Sequence, residues 1–221
     1  MVAIDSGLDS GRQPILNIKL PLAFFIGGAA ALIGLGAMVV NDFSESGLRL
    51  ASELDWRFTC LVFFVAAIAG PVGRLLPFAF SKTLGALRRQ LIWSVCASYG
   101  VYLATLLLPN WFGHTGIEGG VTGGMMLFAL FSGLVILVMA YAASREAEIQ
   151  FGAATLRALL SVAMSFFWLT YALTGLAHLS GPHRPDAFYG VSLGLMIFAL
   201  LLSFADQFIA KLRGIAAAPS L

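Results

Sequence analysis

The sequence predicts an all-α polytopic integral membrane protein, a bundle of six transmembrane helices. Three observations predict this fold, of which the first two concern composition. The 221 residues are 59% hydrophobic and 11% charged, whereas soluble domains carry about 25% charged residues. The mean hydropathy is +0.90. The third observation is the pattern of six long apolar stretches separated by short polar segments, because about 20 apolar residues in a helix cross a hydrocarbon core of roughly 30 Å.

One transmembrane domain is predicted over 20–213, between two tails. The tail at 1–19 is rich in Gly, Ser and Asp, a composition that cannot build a core, and the C-terminal tail covers 214–221. Polar residues precede the first apolar stretch, so we expect that stretch to be retained and not cleaved as a signal peptide. The spans are predicted at about 21–40, 58–76, 91–108, 121–144, 158–179 and 188–208.

The first span carries no charged residue. Small residues let a neighbouring backbone approach closely, and the span has four glycines: Gly27, Gly28, Gly34 and Gly36. The connection from Asn41 to Arg57 is predicted to lie on the membrane surface as a short interfacial helix. Trp56 would then stand at the level of the lipid headgroups.

The second span is interrupted by Gly70 and Pro71. Proline lacks an N–H and its ring clashes with the preceding turn, so we expect a kink or the end of the regular helix there. Arg74 follows, near the membrane surface, where a long side chain reaches the headgroups. Cys60 and Cys96 lie within apolar stretches without metal-binding or redox spacing, and are predicted to be small buried side chains.

The third and fifth spans are the most polar. In the third span, four side chains recur at spacings that place them on one helical face: Ser94, Ser98, Tyr102 and Thr105. A pocket between these two spans would have six lining residues: Ser98, Tyr99, Tyr102, Ser165, Trp168 and Tyr171. The alternative is that these groups bond across helices or to their own backbone carbonyls, without any ligand.

Several classes of function are disfavoured. The chain has no basic run with interleaved aromatic residues, so nucleic acid is not an expected partner. It has no G-x-S-x-G, HExxH or paired-carboxylate motif of a hydrolase. No charged residue lies at the middle of a predicted span, which disfavours an ion pump but leaves open a carrier of neutral lipid. The three histidines, His114, His178 and His183, are expected on the non-cytoplasmic side. Of these, His178 is the candidate ligand.

The distribution of Lys and Arg predicts the orientation. Ten basic residues lie with the termini and the second and fourth loops: Arg12, Lys19, Arg74, Lys82, Arg88, Arg89, Arg145, Arg157, Lys211 and Arg213. Three lie on the other side: Arg49, Arg57 and Arg184. By the positive-inside rule both termini are cytoplasmic. We expect a multi-pass protein of the bacterial inner membrane.

Two segments resemble a known family. They are the segment 67–74, which closes the second span with Gly70, Pro71 and Arg74, and the segment 84–91, which contains Arg88 and Arg89. Together with the six-span length, they resemble the ferric-reductase-like transmembrane domain, especially the haem-binding membrane subunit of periplasmic methionine sulfoxide reductase systems. The resemblance is best over 50–108.

The resemblance implies b-type haem held by histidines between the third and fifth spans. Here the third-span histidine position falls at or near Tyr102, and the fifth span has no histidine between Ala158 and Ala177. The sequence therefore favours a haem-free structural or accessory subunit of an inner-membrane complex, in contact with lipid and other membrane subunits. One alternative is an electron-transfer protein that binds haem or quinone, with Tyr102, Met164 or His178 as ligand. The other is a carrier of neutral lipid or another small molecule.

Overall fold

The computed structural model describes residues 21–76, 78–111, 123–180 and 186–212, and every regular element in these ranges is an α-helix. Both predicted tails lie outside the described residues, and so do three residues of the predicted loops, His114, His183 and Arg184. The helices within the described ranges are α1 (Pro21–Val40), α2 (Glu45–Leu75), α3 (Ala79–Ala86), α4 (Arg88–Trp111), α5 (Gly123–Ala142), α6 (Arg145–Ser180) and α7 (Ala187–Leu212).

Among the described residues, five helices are long and apolar enough to cross a membrane, namely α1, α2, α4, α6 and α7. The apolar stretch of α5, Met126–Ala142, is shorter and stands at the lower limit for a span. Large apolar side chains point away from the bundle; Leu127, Leu130 and Leu137 on α5 are each about 70% exposed. Water would disfavour such continuous apolar faces. The chain is therefore a multi-pass membrane protein in contact with lipid.

The start of α2 differs from the prediction. The predicted surface connection is instead the first part of one continuous helix, which begins at Glu45 and passes through Pro71 to Leu75. The side chain of Ser44 caps this helix by accepting a hydrogen bond from the Gly47 N–H at 3.3 Å. The added turns pack inside the bundle, so Trp56 is 7% exposed and is not a headgroup anchor.

Two of the four glycines of α1 stand at close helix contacts. A Cβ added at Gly27 would lie 3.1 Å from Cβ of Ala97 on α4, and one at Gly34 would lie 2.7 Å from Oδ2 of Asp55 on α2. Gly28 and Gly36 have no such neighbour within 4 Å. Close approach therefore holds for Gly27 and Gly34, and α1 packs against both α2 and α4.

At the end of the bundle away from the α1–α2 turn, the connections before α4 and after α5 also contain helix. Residues 79–86, expected as loop, form α3 between α2 and α4. The segment before the predicted fifth span is the first part of α6, which is interrupted at Gly152 with φ 72° and ψ 152°. Glycine adopts this positive φ without the steric cost that a Cβ brings. Cys60 and Cys96 are buried free thiols, as predicted.

An ion pair joins α2 to α7 at this end. Nε of Arg74 lies 3.1 Å from Oδ1 and 3.0 Å from Oδ2 of Asp206, and Nη2 bonds Oδ2 as well. Arg74 was predicted to reach the lipid headgroups, and in the structure its side chain binds Asp206. Nearby, Arg89 donates from Nε to the Ala143 carbonyl. At the end of the bundle away from the α1–α2 turn, these contacts join α2 to α7 and the start of α4 to the α5–α6 connection.

Replacing Arg74 with Met should lower the free energy of unfolding by about 1–2 kcal/mol, because it leaves a largely buried carboxylate without its main partner. The Asp206 side chain is 10% exposed and that of Arg74 35%, so solvent screening reduces the effect. The matched control is Arg49→Met, since the Arg49–Glu45 pair is exposed and should contribute little. Thermal unfolding in detergent measures both. Equal unfolding temperatures for the two variants would contradict this role of the Arg74–Asp206 pair.

Candidate binding cavity

A cavity of about 280 Å³ opens between α2, α4, α5, α6 and α7, at the end of the bundle where α2 and α7 begin and α6 ends. Aromatic rings, hydroxyl groups, one carboxylate and one imidazole line it. The lining residues are Ser52, Glu53, Trp56, Tyr99, Tyr102, Phe128, Thr170, Thr174, His178 and Tyr189.

The inner wall is built from aromatic side chains in mutual contact. The ring of Trp56 lies 5.2 Å from that of Tyr189 and 5.6 Å from that of Tyr171. Tyr99 and Tyr102 meet edge to face at 5.2 Å. Such pairs are mutually stabilising, and the wall offers flat apolar surface with phenol groups.

At the mouth, the imidazole of His178 stacks on Tyr189, with 3.9 Å between ring centroids and 8° between planes. Its Nδ1 lies 2.9 Å from the carbonyl oxygen of Thr174. A carbonyl only accepts hydrogen bonds, so Nδ1 carries the hydrogen, and in the neutral ring Nε2 is an acceptor. The stack and this bond fix the ring plane of His178 beside the cavity.

A small charge cluster lies beside the mouth. Arg57 bonds both Glu53 and Asp186, and its guanidinium lies 5.2 Å from the ring centre of Phe188. Asp186 precedes α7 and accepts a hydrogen bond from the Phe188 N–H at 2.9 Å. This bond, together with Arg57, lowers the pKa of Asp186 from its ordinary value. Arg57 therefore neutralises acidic groups at the mouth, and Glu53 is the charged residue among the described residues that line the cavity.

The structure brings together some of the predicted site residues and separates others. Tyr99, Tyr102 and His178 line the cavity, together with Thr170 and Thr174 of the polar fifth span. The other predicted residues serve packing or lie elsewhere, and they are Ser98, Ser165, Trp168 and Tyr171.

The contacts of these four residues show why they do not line the cavity. Ser98 donates to the Val95 carbonyl at 3.3 Å, and Trp168 Nε1 donates to the Met196 carbonyl at 2.8 Å. Ser165 is exposed on the outside of α6. Tyr171 is fully buried, and its hydroxyl has no hydrogen-bond partner among the described residues. For Ser98 the alternative interpretation, a bond to its own helix, holds.

Sequence reasoning missed the contribution of α2. Ser52, Glu53 and Trp56 were assigned to a surface connection, although their i, i+1, i+4 spacing places them on one face once the segment is helical. It also missed Asp55, which is 0% exposed and faces α1 and α4. The prediction had placed Asp55 in the surface connection, outside the second span, whereas the structure buries it in α2.

A b-type haem between α4 and α6 does not fit these residues. The rings of Tyr99 on α4 and Phe167 on α6 touch at 4.7 Å between centroids, and Phe63 of α2 lies 5.3 Å from Tyr171 of α6. These contacts fill the space that a macrocycle would need. Met164 packs against the hydrophobic core and does not line the cavity.

Comparisons with protein-family models, curated proteins and solved structures found no match to this chain. The two segments that carry the ferric-reductase-like resemblance meet in the fold, since a Cβ added at Gly70 would lie 3.3 Å from Cζ of Arg88. Helix packing is therefore one role of these motif residues. The family relationship stays a prediction.

Proposed function

We propose that this chain is a six-span carrier or binding protein, and that its cavity binds the head of a neutral amphipathic molecule from the outer leaflet of the bacterial inner membrane. The observation that carries the proposal is the cavity itself, with aromatic walls and a polar mouth at one end of a membrane bundle. Ligand sites combine mostly apolar walls with a few polar groups that orient the ligand.

Six crossings are supported by the alternation of α1, α2, α4, α5, α6 and α7, with α5 as the shortest span. Six crossings place both termini on one side, and the distribution of Lys and Arg assigns that side to the cytoplasm. The cavity then opens on the opposite side, where the ends of lipids in the outer leaflet reach it.

The charges favour a neutral head. Glu53 is the charged group among the described lining residues, and Arg57 is engaged by Glu53 and Asp186. Among the described residues, an anionic head would meet a carboxylate and no free guanidinium, which costs binding energy. The Tyr102 hydroxyl can donate a hydrogen bond to a ligand carbonyl. The Thr170 oxygen, whose hydrogen bonds the Phe166 carbonyl, and Nε2 of His178 can accept one from a ligand hydroxyl group.

A quinone is the second candidate, favoured by one specific observation. His178 has its Nδ1 hydrogen on the Thr174 carbonyl, which leaves Nε2 to accept a hydrogen bond from a quinol hydroxyl. The flat ring would lie among aromatic side chains of the wall. In this form the protein is the electron-transfer relative that the family resemblance suggests. The accessory-subunit role and the partner subunits stay predictions that either ligand would accommodate.

Ligand-dependent thermal stability tests the proposal. A thiol-reactive dye reports unfolding because the two cysteines are buried. The probes are dioctanoylglycerol as neutral lipid, dioctanoyl phosphatidic acid as anionic lipid and a short-chain ubiquinone. A ligand present at about 100 times its Kd stabilises by about 2.7 kcal/mol, which raises the unfolding temperature by roughly 5–10 °C.

The variants are Thr174→Phe, which places a ring in the cavity, and Thr83→Phe as matched control. Both hydroxyls bond the carbonyl four residues earlier, but Thr83 lies on α3, away from the cavity. We expect dioctanoylglycerol to stabilise the wild type and Thr83→Phe but not Thr174→Phe. Stabilisation by the quinone alone, with the same dependence on the variants, would assign the quinone function. Equal response to the anionic lipid, or no difference between variants, would overturn the proposal.

A further inference from the structure

A buried carboxyl group lies on the other side of the α2–α4 contact from the cavity. Asp55 of α2 is 0% exposed. Its Oδ2 accepts a hydrogen bond from Oγ1 of Thr105 on α4 at 2.7 Å, and its Oδ1 has no partner among the described residues. On the third side the backbone of α1 passes so close that a Cβ at Gly34 would lie 2.7 Å from Oδ2.

This position lies within the apolar part of the bundle. Gly34 precedes the end of α1 by six residues, which corresponds to about 9 Å along the helix axis. A carboxylate there would be removed from water with a single hydrogen bond and one oxygen atom unsatisfied. Burial of this kind disfavours the charged form of an acid.

No basic group compensates the charge among the described residues. Asp55 forms no ion pair in these ranges, and α1 contains no titratable residue between Pro21 and Val40. The acidic and basic residues nearest to Asp55 on α2, Glu53 and Arg57, bond each other at the cavity mouth. The titratable side chains on α4 are Arg88 and Arg89 at its start, Cys96, Tyr99 and Tyr102.

We propose that Asp55, with Thr105, is a proton-binding site sealed by α1. The carboxylate takes one proton from a hydronium ion and leaves a water molecule; the O–H bond forms on Oδ1, while Oδ2 keeps its hydrogen bond from Thr105. Ionisation requires water to reach the group, and therefore requires α1 to move away from α2 and α4. Asp55 thus couples proton release to the position of α1. Intramembrane acids commonly mark such proton sites, and this one does not depend on which ligand the cavity binds.

Infrared spectroscopy of the reconstituted full-length protein tests the site. We expect a carbonyl-stretch band of a protonated carboxylic acid at pH 7, which shifts in D₂O and is lost in Asp55→Asn. The control is Asp42→Asn, which changes an exposed aspartate and should leave the band unchanged. A wild-type spectrum without the band, or an Asp55→Asn spectrum that keeps it, would overturn the proposal. Asn has nearly the shape of a protonated Asp, so this variant should fold.

Two further variants test the partners. Thr105→Val removes the donor to Oδ2 and should shift the band to higher frequency, as expected for a carbonyl that loses a hydrogen bond. Gly34→Ala places a Cβ 2.7 Å from Oδ2, so the carboxyl group or α1 must shift. The band at pH 7 should therefore weaken or move, whereas Gly36→Ala, with no atom of a neighbouring element within 4 Å, should leave it unchanged. An unchanged band in both Thr105→Val and Gly34→Ala would show that the site is not built from α1 and α4.

Discussion

Replacing Phe167 with Ala should lower the free energy of unfolding by about 3 kcal/mol, near the lower end of the range for a buried Phe. Phe167 is fully buried and its ring contacts those of Phe63, Tyr99 and Phe166 at 6.2, 4.7 and 5.3 Å. In a bilayer the separated helices remain in an apolar solvent, so the loss is mostly of van der Waals packing and not of hydrophobic transfer. We therefore expect a loss of unfolding free energy near the lower end of the range for a buried Phe.

Thermal unfolding with the thiol-reactive dye measures the loss, and Phe204→Ala is the control. Phe204 is 59% exposed, so removal of its ring should change stability by less than about 0.5 kcal/mol. If both variants unfold at the same temperature, the aromatic contacts between α2, α4 and α6 do not form the core. The space between α4 and α6 would then also be open to a larger cofactor.

Replacing Gly27 with Leu should destabilise the protein by about 2 kcal/mol or more, because the side chain overpacks the α1–α4 contact. Cβ alone would lie 3.1 Å from Cβ of Ala97, and the branched end of Leu needs the space that Ala97 occupies. The two helices must separate to admit it.

The control is Gly28→Leu on the same helix. No atom of another element lies within 4 Å of a Cβ at Gly28, and both changes gain the same helix propensity. We expect Gly28→Leu to be neutral or slightly stabilising in the same thermal assay. A similar loss in both variants would mean that α1 does not pack through Gly27.

The helical membrane fold could be predicted because hydropathy depends only on local composition. Spans such as Pro21–Val40 are apolar along their whole length. The hydrocarbon core holds no water to bond the backbone N–H and C=O groups, and a helix satisfies these groups within the segment. The start of α2 could not be predicted in this way. Residues 45–57 carry charged groups that are typical of an interfacial segment, yet Trp56 and Asp55 are buried because α1, α4, α6 and α7 close around them.

The candidate site was predictable in part for a related reason. Polar side chains on the third and fifth spans pointed to a pocket with Tyr99 and Tyr102, and these two line the cavity together with His178, which was expected separately as an outer-face ligand. Composition alone does not show which hydroxyl faces outward and which bonds its own helix, since Ser98 does the second. The Arg74–Asp206 pair joins residues far apart in the chain, and a single sequence carries no local signal for that contact.

Native mass spectrometry of the protein released gently from its own membrane tests the central claim most directly. The predicted result is a bound neutral molecule, at most one per chain, on the wild type and on Thr83→Phe. It should be absent from Thr174→Phe, because a ring at that position fills the cavity. A wild type that carries no such molecule, or a Thr174→Phe variant that retains it as the wild type does, would contradict the account of the cavity as a binding site.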